Sequence, residues 1–245
     1  MRRLAIVLLA LLLASCGAQR HAAVKGKTVV RCATGSFQPN ATAKLSYAGV
    51  AANGAVAYAK PGGNVLARFG KVNVNNYPTV FGVVGKVVTR QCKTAWYRVQ
   101  LPVRPNGKTG YVRPWRLQLA PVRARIVVDI SERRLTLYRS GKKLLSSPVA
   151  VGAPATPTPT GRFYVNQRLV PSDSSGPFGP GAIGISAFSN VLTGWAQGGP
   201  VAIHGTNEPW SIGHPVSNGC VRLPNAVLAR IWPLAVAGTP VIIHA

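Results

Sequence analysis

Apolar and polar residues alternate along this chain in short stretches separated by glycine, proline and asparagine. Residues 96–101 (WYRVQL) show the alternation most clearly, as expected for a strand with one buried face. Residues 105–108 (PNGK) then predict a turn, and residues 109–112 (TGYV) predict the returning strand of a hairpin. The pattern therefore indicates a mainly β protein built from short strands and tight turns.

The alternation resumes after residues 121–123 (PVR), where we place a domain boundary. Two proline- and glycine-rich segments, residues 153–161 and 171–182, interrupt the second half. The three prolines of the first segment lack the N–H donors that a ladder strand needs, so both segments are predicted to be loops. The predicted elements are strands at residues 125–130, 135–138, 148–152, 201–203 and 240–244, and one helix at residues 225–232.

The first residues have the features of an export signal. Arg2 and Arg3 precede an apolar run, residues 4–13, which is short for a membrane span but suits a secretory signal. Residues 13–16 (LASC) resemble the bacterial lipobox, which implies cleavage before Cys16 and acylation of that residue, and two or more acyl chains make a stable anchor. An ordinary signal peptide with a nearby cysteine is the alternative. We therefore expect a signal peptide at residues 1–15, a tether at residues 16–27, and a lipoprotein exported to the outer face of the cell membrane.

The charge of the chain restricts its partners. Lys and Arg number 29 against four acidic residues, for a formal net charge of +25. Such a charge attracts polyanions, which for an exported protein are lipid headgroups and anionic cell-wall polymers and not nucleic acid. A solvated basic surface without a specific partner is the alternative.

The scarcity of carboxylates excludes some chemistries. A glycosidase needs two converging carboxylates, and magnesium or calcium sites need clusters of oxygen ligands. Asp129 and Glu132 lie three residues apart in a predicted hairpin, where a role in the turn is expected. The carboxylates are Asp129, Glu132, Asp173 and Glu208.

The cysteines divide by context. Cys32 and Cys92 both lie in the N-terminal half of an exported chain, and neither has a neighbouring histidine that would suggest metal ligation. A disulfide between them is the simplest assignment, and it would close a loop worth roughly 4 kcal/mol in the chain-entropy treatment. Cys16 is the expected lipidation site, which leaves Cys220 for chemistry.

Cys220 follows His204 by sixteen residues, which pairs a candidate nucleophile with a candidate base. A thiol attacks carbonyl carbon as thiolate, and a nearby imidazole can accept its proton. Gly219 allows a close backbone approach, and its N–H group could face a developing oxyanion. The pattern indicates a thiol acyl-transfer site without a cofactor. A zinc site of His204, His214 and Cys220 is the alternative, but no other feature favours it.

Three motifs together resemble the L,D-transpeptidases with a YkuD-type catalytic domain, which we place at residues 123–245. Residues 126–138 are similar to the first hairpin of that family, and residues 158–163 (TPTGRF) to its TPTG segment. The active-site signature is matched by residues 204–207 (HGTN), 211–215 (SIGHP) and 217–223 (SNGCVRL).

The resemblance implies an exported enzyme that remodels peptidoglycan and so contributes to cell-wall organisation and cell shape. Cys220 would attack the amide between the third, diamino residue and the terminal D-Ala of a tetrapeptide stem. D-Ala would leave, and the amine of a second stem would resolve the thioester as a 3→3 cross-link. His204 would be the general base, oriented by the Gly205 carbonyl, with Glu208 as a less favoured orienting group. An L,D-carboxypeptidase using water, a transferase using a protein amine, and a catalytically inactive wall-binding lipoprotein are the alternatives.

The signature also suggests substrate-binding residues. Arg222 would bind a stem carboxylate or hold the loop, and His214 would contact substrate or serve as a polar loop residue. Asn218 stands where many members of the family carry histidine; it cannot act as a base but can form hydrogen bonds. The expected substrate-binding residues are Arg222, Ser217, Asn218 and His214.

The N-terminal domain, residues 28–119, resembles the bacterial SH3-like domains of exported proteins through residues 96–99 (WYRV) and 110–112 (GYV). That resemblance implies a small β-barrel that binds or spaces the cell wall. The expected fold is thus mainly β: an SH3-like barrel, then a YkuD-type β-sandwich with one short helix after Cys220.

Overall fold

A computed structural model describes residues 31–245. The expected signal peptide (residues 1–15), the tether (residues 16–27) and the lipidation site Cys16 lie outside the described residues. Between residues 31 and 245, no helix combines the length and the apolar character needed to cross a bilayer.

The described part is mainly β, which confirms the predicted class, and its one α-helix follows Cys220. Strands of the first half are β1 (Phe37–Pro39), β2 (Ser46–Val50), β3 (Ala55–Tyr58), β4 (Val65–Phe69), β5 (Val80–Val88), β6 (Thr94–Gln100), β7 (Thr109–Val112) and β8 (Gln118–Val122). The second half contains β9 (Ala124–Asp129), β10 (Arg134–Arg139), β11 (Lys142–Pro148), β12 (Val151–Gly152), β13 (Gly161–Leu169), β14 (Ala182–Phe188), β15 (Pro200–His204), β16 (Pro215–Ser217), β17 (Val221–Arg222), α1 (Asn225–Ile231) and β18 (Pro240–His244).

Strands β1–β8 form one sheet in the order β4-β3-β7-β6-β5-β2-β8, with β1 paired to β5. Their alternating apolar side chains enclose a core around Phe81, Val99 and Val112, all of them fully buried. A disulfide joins Cys32, before β1, to Cys92, in the turn between β5 and β6. The sheet is antiparallel throughout, and its identity as an SH3-like barrel remains a prediction.

The second large sheet has the order β11-β10-β9-β18-β13-β14-β15-β17. The last strand, β18, inserts between β9 and β13 and runs parallel to β9. One face of this sheet carries the main core, which includes Leu228 and Ile231 of α1.

The first sheet continues further than expected. Strand β8 pairs with β2 as far as Val122, three residues beyond the predicted end of the N-terminal domain at residue 119. Pro121 can lie in this strand because β8 is at the edge of its sheet, where a missing N–H donor costs no ladder bond. Strand β9 begins only two residues later, so the linker between the two sheets is very short.

Candidate active site

Two parallel strands bring His204 and Cys220 to the same face of the second sheet. β15 pairs with β17 so that His204 lies opposite Arg222, which places Cys220 beside Ala202. The Ala202 N–H donates to the Cys220 Sγ at 3.4 Å. Strands are separated by about 4.8 Å and rise about 3.3 Å per residue, so the imidazole and the thiol belong to neighbouring positions.

One ring nitrogen of His204 is held by a hydrogen bond, and the other is available for proton transfer. Its Nδ1 lies 2.5 Å from the Gly205 carbonyl oxygen, an acceptor that selects the tautomer carrying the proton on Nδ1. The Nε2 atom of that tautomer is an acceptor, as a general base requires. The side chain is only 4% exposed, and the Phe178 ring packs edge-on against it at 5.0 Å.

The backbone after His204 is held from two sides. Asn225 accepts a hydrogen bond from the Thr206 N–H at 2.8 Å and donates one to the Thr206 carbonyl at 3.1 Å. A Cβ atom on Gly205 would lie 2.3 Å from the Asn225 Oδ1 and 2.9 Å from Pro180. Only glycine fits there, which keeps the orienting carbonyl in place.

The loop that carries Cys220 is stabilised by its own serine, Ser217. Ser217, 2% exposed, accepts a hydrogen bond from the Gly219 N–H at 3.1 Å and donates to the Cys220 carbonyl at 2.5 Å. Gly219 has a φ of 106°, a conformation that other residues rarely adopt. The buried Ser217 therefore shapes the loop, and the Gly219 N–H must leave this acceptor before it can stabilise an oxyanion.

The proline-rich segment anchors the same loop. The Ala153 N–H and the Thr156 hydroxyl both donate to the Ser217 carbonyl, at 2.8 and 2.9 Å. Within the segment, the Thr158 hydroxyl accepts a hydrogen bond from the Gly152 N–H at 2.8 Å. The first residues of the proline-rich segment, Ala153 and Thr156, therefore brace the loop that carries Cys220.

Arg222 supplies positive charge beside the thiol and the imidazole. Its Nη1 is paired with the Glu208 carboxylate, so Glu208 holds Arg222. Its Nε is buried and has no acceptor among residues 31–245. His214 and Asn218, the other predicted substrate-binding residues of the signature, are exposed.

Burial sets the protonation states of the pair. It lowers the pKa of His204 to about 4, against a raising effect of the Gly205 carbonyl, and the nearby Arg222 cation lowers it further. Burial raises the pKa of Cys220, opposed by the Ala202 N–H and by Arg222. Both shifts favour a neutral thiol and a neutral imidazole near pH 7.

The low pKa of His204 should make the fold sensitive to mild acid. His204 takes up a proton near pH 6.5 in the unfolded chain but only near pH 4 in the folded chain. Its contribution to the free energy of unfolding is therefore complete above pH 6.5 and is lost as the pH falls towards 4. The difference corresponds to roughly 3 kcal/mol. We expect His204→Gln, which cannot titrate, to lose less unfolding free energy than the native protein between pH 7 and pH 4 in urea titrations. Equal losses in both proteins would contradict the assignment.

Sequence reasoning did not identify several residues that support the site. Asn225 was expected only to begin the helix, and Phe178 only to belong to a loop. In the described chain, no three His, Cys, Asp or Glu side chains are grouped as metal ligands. One feature of the sequence could have identified Asn225 as a supporting residue. It comes soon after the signature, where the chain must turn back towards the end of β15.

The comparisons with known proteins concern the second half of the chain. Residues 123–243 match the sequence profile of the YkuD family, described as the L,D-transpeptidase catalytic domain. A Bacillus subtilis (strain 168) protein with the provisional name L,D-transpeptidase YkuD is 37% identical over 119 residues, covering 49% of this chain and 65% of that protein. L,D-transpeptidase 1 of Mycobacterium tuberculosis (strain H37Rv) is 29% identical over 131 residues, covering 47% of this chain and 48% of that protein.

The matched part spans less than two thirds of either relative. Among solved structures, an L,D-transpeptidase from Mycobacterium smegmatis aligns with 62% of this chain and 78% of its own, at 21% identity and a TM-score of 0.39. The residues that match the family profile include β15, which ends at His204, and β17, which begins directly after Cys220. Residues 123–243 of this protein therefore match the catalytic domain of the YkuD-type L,D-transpeptidases.

Proposed function

We propose that this protein is an exported L,D-transpeptidase that is lipid-anchored at Cys16 and cross-links peptidoglycan stems through a thioester at Cys220. One observation carries the proposal: His204 ends β15, Cys220 directly precedes the neighbouring parallel strand β17 and accepts a hydrogen bond from Ala202 of β15, and the Gly205 carbonyl fixes the imidazole. The remaining features fit this chemistry.

Acylation starts from the neutral pair. The Cys220 sulfur attacks the carbonyl carbon between the diamino residue and the terminal D-Ala, while the His204 Nε2 takes the thiol proton. Arg222, beside both groups, favours the developing thiolate and opposes the imidazolium. The imidazolium is therefore a strong acid, and it passes its proton to the nitrogen of D-Ala as the C–N bond breaks.

The tetrahedral intermediate needs donors for its oxyanion. The Cys220 N–H would be one backbone donor, and the Gly219 N–H would join it once it leaves the Ser217 hydroxyl. Gly219, with its positive φ, allows the peptide plane to turn without the strain that a side chain would add.

Deacylation completes the transfer. The side-chain amine of a second stem attacks the thioester carbon, His204 accepts the amine proton, and the Cys220 thiolate leaves and is reprotonated. Water in place of the amine would give an L,D-carboxypeptidase, which is the second candidate. A protein amine is a third acceptor of the same chemical type, and an inactive wall-binding lipoprotein would carry out none of these steps.

Substrate recognition is assigned to the rim of the site. The Nε of Arg222 is a buried donor without an acceptor among the described residues, and a stem carboxylate would supply one. Asn218 and His214 are exposed residues of the same signature and would contact the stem. The net charge of +25 favours anionic wall polymers and lipid headgroups near the anchor, and the N-terminal domain serves as an SH3-like wall-binding or spacing module.

The test is to incubate the purified protein with a disaccharide-tetrapeptide and to analyse the products by mass spectrometry. Release of D-Ala with formation of a cross-linked dimer supports the transpeptidase. Release of D-Ala with only a tripeptide product supports the carboxypeptidase. No release, together with no covalent adduct from a carbapenem, would overturn both.

A further inference from the structure

A cleft of about 380 Å³ is lined by residues from both halves of the described chain. Its walls come from the segment between β4 and β5 on one side and from β13, β14 and the approach to β15 on the other. Five amide side chains line it: Asn73, Asn75, Asn166, Gln167 and Gln197.

Four of the amides join the two sheets. Asn73 and Asn75 donate to the Gln167 Oε1 at 2.7 and 3.1 Å, and Gln167 is 9% exposed. Asn75 and Gln197 exchange two further hydrogen bonds, at 3.0 and 3.3 Å. These hydrogen bonds link the two sides of the cleft and fix its shape.

The fifth amide has an unused acceptor. The Asn166 Oδ1 is buried and has no donor within hydrogen-bond distance among residues 31–245. It lies beside Gly184, because a Cβ atom built there would be 3.0 Å from it. A buried acceptor without a partner is unfavourable, so an N–H group from a ligand would be favourable there.

The cleft faces the same side of the sheet as the nucleophile. A Cβ atom on Gly184 would lie 2.7 Å from the Gln167 Cγ, and Gly184 pairs with Ala202, whose N–H contacts the Cys220 sulfur. Pro200, at the edge of the cleft, precedes Ala202 by two residues, or about 6.6 Å of strand. An extended tetrapeptide reaches about 14 Å and could span both places.

The lining also indicates the class of ligand. Amides pair with the N–H and C=O groups of a peptide backbone, and the apolar residues between them accept small side chains. Arg68 is the one charged residue on this wall and would pair with a single carboxylate. A short peptide that carries few charges fits this lining.

We propose that the cleft binds the amino-terminal part of the peptide stem whose D-Ala end is at Cys220, so that the N-terminal domain forms part of the substrate site. This inference rests on the proposed function for the identity of the peptide. The Asn166 Oδ1 accepts an N–H of the stem, and Arg68 pairs with a stem carboxylate.

Two variants test the cleft. Val74 is 81% exposed and lines it, so Val74→Trp blocks the cleft from the solvent side; Asn166→Leu removes the unused acceptor. We expect each variant to raise the KM for the disaccharide-tetrapeptide about tenfold while kcat and the rate of carbapenem acylation stay unchanged. Val170→Trp, at a residue 73% exposed and outside the cleft, is the matched control and should leave the KM unchanged.

A binding measurement separates this inference from the proposed function. In the Cys220→Ala background, titration calorimetry with the free tetrapeptide should show about tenfold weaker binding for Val74→Trp and for Asn166→Leu. That result supports the cleft even if the native protein releases no D-Ala. Unchanged KM and unchanged affinity, or displacement of the tetrapeptide by a glycan chain without peptides, would overturn the inference.

Discussion

Replacing Cys220 with alanine will abolish both D-Ala release and covalent capture of a carbapenem. Both reactions need a sulfur nucleophile at the end of the β15–β17 pair, and Cys220 is the one cysteine outside the disulfide among the described residues. We expect D-Ala release to fall at least about 10⁴-fold, as it does when a nucleophile that acts together with a base is removed. The measurements are the rate of D-Ala release and the intact mass after carbapenem treatment.

Cys220→Ser is the companion variant, because its hydroxyl keeps the size of the side chain but is a far weaker nucleophile at this site. It should retain the thermal midpoint of unfolding of the native protein while losing the carbapenem adduct. A carbapenem adduct that persists in Cys220→Ala would mean that another group is the nucleophile, and the acyl-transfer proposal would fail.

Replacing His204 with glutamine will reduce D-Ala release by about 10²- to 10⁴-fold, the usual effect of losing a general base. Glutamine can still donate to the Gly205 carbonyl, so the loop keeps its main contact. The native enzyme should remain active well below pH 6.5 and lose activity only near pH 4, where the imidazole becomes protonated. The measurement is the pH dependence of kcat/KM from pH 4 to pH 8.

The acidic limb of the pH profile of kcat/KM shows whether His204 acts as a base or only supports the fold. In His204→Gln the low residual activity should follow thiol ionisation and rise with pH through the elevated pKa of Cys220. If the native profile and the variant profile have the same shape and differ only in height, His204 merely supports the fold. Glu208→Gln is a control, since Glu208 pairs with Arg222 and should leave the acidic limb in place.

Much of the site could be predicted because its residues are close in sequence. A short strand ending at His204 and a loop carrying Gly219 and Cys220 are local patterns, and the structure has β15 and the β17 loop at these positions. The disulfide partners could also be proposed, since an exported chain leaves few alternatives for Cys32 and Cys92. Cys16, the anchor and the SH3-like assignment stay predictions.

Other parts of the site depend on contacts that no local pattern encodes. Glu208 is four residues after His204, and spacing alone allowed it to orient the imidazole; the parallel register of β15 and β17 instead brings it to Arg222. The Gly219 N–H was expected to be free for an oxyanion, but in the folded loop it donates to Ser217. In both cases a residue on a neighbouring strand or turn is the hydrogen-bond partner instead: Arg222 for Glu208, and Ser217 for the Gly219 N–H.

The sequence by itself determined the residue types of the chemistry, the β class and the position of the helix, because strand alternation, turn residues and the signature are local. Only the tertiary structure decided that β18 enters the middle of the second sheet, that burial keeps His204 and Cys220 neutral, and that the amides of the two sheets meet in one cleft. These features depend on contacts between residues far apart in the chain. The free energy of such contacts depends on which other groups surround them, and a one-dimensional pattern does not contain that information.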